Sequence, residues 1–111
     1  MMRVQLRHPD HVLGDVCETV LIEHLIRAGA AVLVAAGAHG PVDVAAIGRD
    51  GRVYLFDAKA DRMRRREGRD RRCYRPRSKL QKRLGIRLAY VEEKKRTVHF
   101  VPALPAESGL R

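Results

Sequence analysis

Asp43, Asp57 and Lys59 stand inside two runs of small and branched apolar residues, where the core of a sheet favours hydrophobes. The runs flank Gly48-Arg49-Asp50-Gly51, a turn signal, so residues 41 to 60 read as a β-hairpin. A three-residue loop with Gly51 in the left-handed position sets Gly48 opposite Arg52. In that register Asp43 faces Asp57 directly, with β-carbons about 4.5–5.5 Å apart. Lys59 projects from the same face, two residues beyond Asp57. A two-residue Asp50-Gly51 turn sends the two aspartates to opposite faces instead. Facing carboxylates repel unless something neutralises them, and clustered carboxylate oxygens suit a hard cation such as Mg²⁺, with Mn²⁺ as a substitute. A lysine beside them is placed to orient or deprotonate a water, or to offset charge building on a phosphate. Taken singly, each aspartate reads as a solvated strand-end residue and Asp57–Lys59 as a surface ion pair. The matched register is what argues for a site.

The elements around this hairpin follow from periodicity. "DVCETVLIEHLIRA", from Asp15 to Ala28, places Val16, Cys17, Val20, Leu21, Leu25 and Ala28 at helical spacing, with Gly29 as the stop. Residues 1 to 12 read as polar and irregular. "AAVLVAA" (30 to 36) predicts a first, buried strand; "VDVAAIG" and "RVYLFDAK" predict the second and third. "SKLQKRLG" (78 to 85) predicts a short helix capped by Ser78 and closed by Gly85. "IRLAYVEE" and "TVHFVP" alternate as two strands around Lys94-Lys95, and the tail after Pro102 reads as loose. The order is α-β-β-β-α-β-β, an α/β domain with a mixed sheet. At 111 residues the chain is one domain, residues 1 to 111, with a modest core. Cys17 and Cys73 lack metal or disulfide spacing and read as thiols of a reducing compartment. His8-Pro-Asp-His11 is a weak metal pattern, since the proline discourages a helical pair.

These residues carry a family pattern. "PVD" followed by "DAK" one hairpin later resembles the PD-(D/E)XK nuclease superfamily, whose restriction-endonuclease-like core is αβββαβ with a mixed central sheet flanked by helices. The likeness covers residues 14 to about 101. Gly14-Asp15 followed by Glu18 on the first helix is similar to archaeal and phage Holliday junction resolvases. The resemblance implies that Asp43 and Asp57 bind the metal, that Lys59 is the catalytic lysine, and that Glu18 completes the metal site. It also implies the backbone carbonyl of Ala58 as an extra ligand. Val42 splits the Pro-Asp pair, and the second acid is Asp where Glu is commoner. Asp15-x-x-Glu18 also reads as a capping box. So does Ser78-x-x-Gln81, although related nucleases place a polar residue such as Gln81 near the metal.

Charge points to the partner. The net charge is +10, which favours polyanions. No apolar run approaches the ~20 residues of a membrane span, and the basic start lacks the apolar stretch of a signal peptide; a cytoplasmic location, without membrane contact, is expected. Of 23 Lys and Arg residues, 14 fall between Lys59 and Arg87, against three acids there. The segment 61–77 and the helix after it supply candidate DNA contacts: Arg62, Arg64, Arg65, Arg66, Arg69, Arg71, Arg72, Arg75, Arg77, Lys79 and Lys82. Tyr74 is a weaker candidate for stacking on a base. Like charges at this density call for a partner, and the segment is expected to order on DNA. Taken with the resemblance, this implies a Mg²⁺-dependent endonuclease cutting DNA to leave 5′-phosphates, four-way junctions above all, as a two-fold dimer. Tyr90 and Phe100 on the last hairpin are candidate interface residues. The alternatives are a homing or restriction-like endonuclease of the same fold, and a non-catalytic basic nucleic-acid-binding domain.

Overall fold

The computed structural model describes residues 4, 6–37, 40–61, 63–66, 69–72 and 76–111, the strands at 63–66 and 69–72 as backbone alone. Helix α1 (Pro9–Arg27) precedes strands β1 (Ala31–Val34), β2 (Val44–Ile47) and β3 (Val53–Ala60). A small hairpin of β4 (Met63–Arg66) and β5 (Arg69–Arg72) follows, then helix α2 (Lys79–Leu84), β6 (Ile86–Glu92), β7 (Thr97–Val101) and a 3₁₀ turn, Ala106–Ser108. The main sheet is open and mixed, in the order β1-β2-β3-β6-β7; only β3 and β6 are parallel, joined through α2. This is an α/β fold. Among the described residues no helix is long and apolar enough to cross a membrane.

The hairpin forms in the three-residue register. Gly48 N–H donates to the Arg52 carbonyl (2.9 Å), Gly51 has φ +80°, and Val44 pairs with Phe56. Along β3, Phe56 turns toward α1 and Asp57 toward the opposite face. Cys17, Val20, Leu21 and Leu25 of α1 pack on Val44, Ala46, Phe56, Ala89, Val91 and Phe100, which forms the core.

Five sequence expectations change. The first helix begins at Pro9, not Asp15: His8 is the N-cap, its ring accepting from the Asp10 amide (3.1 Å), and Pro9 in the first turn gives up no hydrogen bond. Gly14 is carried inside the helix, and the Asp15–Glu18 capping box does not exist, because both residues lie mid-helix. The helix ends as expected at Gly29, with Gly29 N–H to the Ile26 carbonyl and Ala30 N–H to Leu25, a Schellman pair. β1 is shorter than 30–36 and is an edge strand, with Leu33 and Val34 exposed, not a buried one. The tail is docked: Leu104, Ser108 and Leu110 are buried, and Arg49 N–H donates to the Ser108 carbonyl (2.8 Å). Gly48 is required there, since an added Cβ would lie 2.8 Å from that same carbonyl. Tyr90 and Phe100 are core residues, 2% and 8% exposed, and so cannot form a dimer contact without unfolding. The basic segment, which has no element in the α-β-β-β-α-β-β order, contains the paired strands β4 and β5.

Because the tail fills part of the core, Leu110→Ala is expected to lower stability by about 2–4 kcal/mol. Leu80→Ala, at a half-exposed position, should change it by no more than about 0.5 kcal/mol. Urea denaturation of both variants measures this, and a Leu110→Ala chain as stable as wild type would mean that the tail is not docked.

Candidate active site

The site forms where the β2–β3 ladder stops. Continuing the register one step would pair Asp43 with Asp57, but the Asp43 N–H instead reaches the carbonyl of Phe56 (2.8 Å), the residue already paired with Val44. Two residues of one strand thus oppose one of the other, the geometry of a β-bulge. The carbonyl of Asp43 stays in line with the sheet, accepting from the N–H of Ala35, just beyond β1 (2.9 Å). The next rung on β3, the amide of Ala58, then has no main-chain acceptor on β2. The Asp43 carboxylate takes that place, with Ala58 N–H donating to Oδ2 at 2.8 Å.

The bulge brings the two carboxylates together. Burial pushes the Asp43 carboxyl up to about 6, and the Asp57 side chain beside it pushes in the same direction; the Ala58 amide works against them, and the charge of Glu18 adds a smaller push upward. Asp57 is buried on β3. Its Oδ2 accepts from Gln81 Nε2 (2.7 Å) and lies 3.3 Å from Lys59 Nζ.

Gln81 caps α2 and also reaches Asp57. Its Oε1 accepts from Ser78 N–H (3.1 Å) and its own N–H donates to Ser78 Oγ (3.1 Å), which closes a capping box at the start of α2. The remaining end of the amide, Nε2, is thereby aimed at Asp57 and, more weakly, at the Pro41 carbonyl (3.4 Å).

Two depressions meet at the aspartates. One, of about 420 Å³, is lined by Gly40, Pro41, Asp57, Lys59, Pro76, Ser78, Leu80, Gln81 and Leu88. The other, of about 400 Å³, lies toward α1 and is lined by Arg7, His11, Asp15, Glu18, Asp43 and residues 35–37. Glu18 therefore shares a cleft with Asp43. It does not close a three-ligand cage: among the described residues no three Asp, Glu, His or Cys side chains converge on one metal-sized point. Two carboxylates that each line a depression still suit Mg²⁺, which keeps several waters and takes one or two carboxylates together with substrate phosphate. Ala58 enters through its amide, donated to Asp43.

Of the candidate DNA contacts, Lys79 and Lys82 are exposed on α2, beside the Asp57 depression. Arg77 donates to the Ile86 carbonyl (3.2 Å), tying the approach to α2 onto β6. Arg62, Arg75 and Tyr74 lie outside the described residues, as do the side chains of Arg64, Arg65, Arg66, Arg69, Arg71 and Arg72. His8 is used as a helix cap, not as half of a metal pair. Arg7 and His11 line the Asp43 cleft and were not singled out for it. The signal was the spacing His11, Asp15, Glu18 along one helical face, which becomes readable only when the helix starts at Pro9.

The position of Asp43 has a consequence for pH. In the unfolded chain an aspartate keeps its proton only below about pH 4, whereas folded Asp43 keeps it up to about 6. Between those values the folded chain binds more protons, so its stability falls as pH rises through that window and stays low above it. Asp43→Asn keeps an acceptor for the Ala58 amide and removes the charge. Without divalent ions it is expected to be more stable than wild type by roughly 1–2 kcal/mol at about pH 7.5, the carboxylate being only partly shielded from water. The difference should vanish near pH 4. Urea titrations at the two pH values measure it; equal stabilities at both would mean that neither burial nor Asp57 raises the Asp43 carboxyl.

No protein-family model matches the chain, and neither does any curated protein or solved structure.

Proposed function

We propose that this protein is a metal-dependent endonuclease that hydrolyses DNA phosphodiester bonds, with four-way junctions as its preferred substrate. The observation that carries the reading is the meeting of Asp43 and Asp57 at the end of the hairpin, with the Lys59 ammonium 3.3 Å from Asp57. Satisfying the Ala58 amide accounts for Asp43 but not for a second carboxyl beside it, and burial together with Asp57 pushes the Asp43 carboxyl up to about 6. A site that takes up a cation gains its affinity from that arrangement.

Asp43 and Asp57 are the residues that would hold Mg²⁺ or Mn²⁺. Bound there, the ion supplies a Lewis acid for a phosphate oxygen and lowers the pKa of a coordinated water. The chain's own residues do the rest. Gln81 fixes the rotamer of Asp57 from α2, and the Ala58 amide fixes that of Asp43 from β3. Lys59, partly exposed, presents its ammonium to charge developing on the phosphate. Glu18 adds a negative wall on the α1 side of the cleft, and the net charge of +10 draws the polyanion in. The preference for junctions rests on the resemblance of "PVD…DAK" and the Gly14–Glu18 helix to junction resolvases.

The test is cleavage of a labelled four-way junction beside linear duplex and single strand, in Mg²⁺ or Mn²⁺. Paired symmetric nicks on the junction are expected, lost in EDTA and slowed ~10²–10³-fold by Lys59→Ala. Cutting of every substrate would keep the nuclease and remove the junction preference. Tight binding with no metal-dependent cutting by wild type would overturn the reading in favour of a non-catalytic nucleic-acid-binding domain.

A further inference from the structure

We propose that two copies of this chain associate by antiparallel pairing of their β1 strands, centred on Leu33, so that the two five-stranded sheets become one. β1 is an edge strand, and among the described residues no strand pairs with its outer side. Ala35 N–H points to Asp43 on β2, so Leu33 and Ala31 also turn their backbone groups inward. Val32 and Val34 therefore turn theirs outward, as a ready template for another strand.

Edges of this kind are normally blunted by lysine, proline or an inward-pointing charge. Ala31–Val34 has none of these, and Leu33 and Val34 are 56% and 54% exposed. On the face carrying Leu33, the exposed Ile47 and Val53 extend the apolar surface from the edge across β2 and β3.

Charge singles out a second copy as the occupant. From Ala28 to Gly48, Asp43 is the only Asp, Glu, Lys or Arg, although the whole chain carries +10. Two such chains repel wherever their basic surfaces meet, and the neutral sector is where they can approach most closely. A nucleic acid, by contrast, is drawn to the rest of the surface. An antiparallel strand pair is also self-complementary, which is what a two-fold contact needs. With Leu33 opposite its own mate, Val32 of one copy exchanges backbone hydrogen bonds with Val34 of the other.

The pairing has a consequence for the substrate, and this consequence rests on the endonuclease reading above. The two-fold axis of an antiparallel pair is perpendicular to the sheet, so the faces bearing Asp57, Lys59 and α2 lie on the same side in both copies. Asp43 is one strand in from the edge and level with Ala35, two residues from the axis. At standard strand spacings the two aspartate pairs stand roughly 20–30 Å apart. One DNA molecule with two-fold symmetry would meet both.

The pairing itself needs no activity, so it is tested on the full chain without nucleic acid. Sedimentation equilibrium is expected to give twice the 12.6 kDa of one copy. Leu33→Lys, at an exposed position, should weaken association at least ~100-fold while keeping the circular dichroism spectrum of the folded chain. Leu33→Cys in a Cys73→Ser background should oxidise to a covalent dimer, because facing residues of a non-hydrogen-bonded pair have Cα atoms about 4.5 Å apart, within reach of a disulfide. A Val53→Cys control should not. A wild-type monomer at every concentration, a Leu33→Lys dimer, or cross-linking no better than the control would each overturn the proposal. Dimerisation in a chain that cuts nothing would leave the pairing standing and the endonuclease reading refuted.

Discussion

The hydrogen bond from the Ala58 amide to the Asp43 carboxylate is the contact on which the arrangement depends. A main-chain N–H left without an acceptor in a half-buried sheet destabilises by about 1–3 kcal/mol. The β2 main chain bulges at Asp43 and cannot serve that amide, so the side chain does. Completing the ladder thus places a carboxylate beside Asp57, and what the sheet gains in a satisfied amide is set against electrostatic repulsion. Both effects appear in Asp43, whose proton is held by burial and by Asp57 and opposed by Ala58. A site built from ladder residues inherits the positional accuracy of the sheet, which a loop would not supply.

Asp57 is held from a different direction. The six residues of α2 are too few to form a stable helix alone. It is kept in place by the Ser78–Gln81 box, by Gly85 in the left-handed conformation, and by Arg77 on the Ile86 carbonyl. Gln81 converts that anchoring into the orientation of Asp57, because the same amide group caps the helix with its oxygen and reaches the acid with its nitrogen. The two aspartates are therefore positioned independently, one through β3 and one through α2, and Lys59 shares β3 with Ala58 and Asp57.

Much of this could be read from the residues because local rules decided it. Gly51 could take the left-handed turn, and the turn set the register as far as Val44 and Phe56; the bulge that replaces direct Asp43–Asp57 pairing had no signal in the residues. Ser78, Gln81 and Gly85 mark α2 by chemistry that acts within a few residues. What was missed depended on competition between signals or on distant contacts. Proline usually argues against helix, yet Pro9 starts one, which moved the first turn six residues upstream and removed a spurious cap at Asp15. The apolar run at 31–34 looked buried, but hydropathy alone does not tell a central strand from an edge. The tail is docked by Leu104 and Leu110 against elements far away in sequence, and no local pattern announces that. Family resemblance placed Glu18 on the right helix, facing the cleft of Asp43, but it could not supply the geometry of a third ligand.

The central claim is that Asp43 and Asp57 share one divalent cation. Titrating the full chain with Mn²⁺ at about pH 7.5, followed by electron paramagnetic resonance, tests it without any substrate. The account expects one bound ion per chain, lost in both Asp43→Asn and Asp57→Asn and retained in Arg27→Ala, which lies away from the site. Binding that survives both aspartate substitutions, or no saturable binding by wild type, would contradict it.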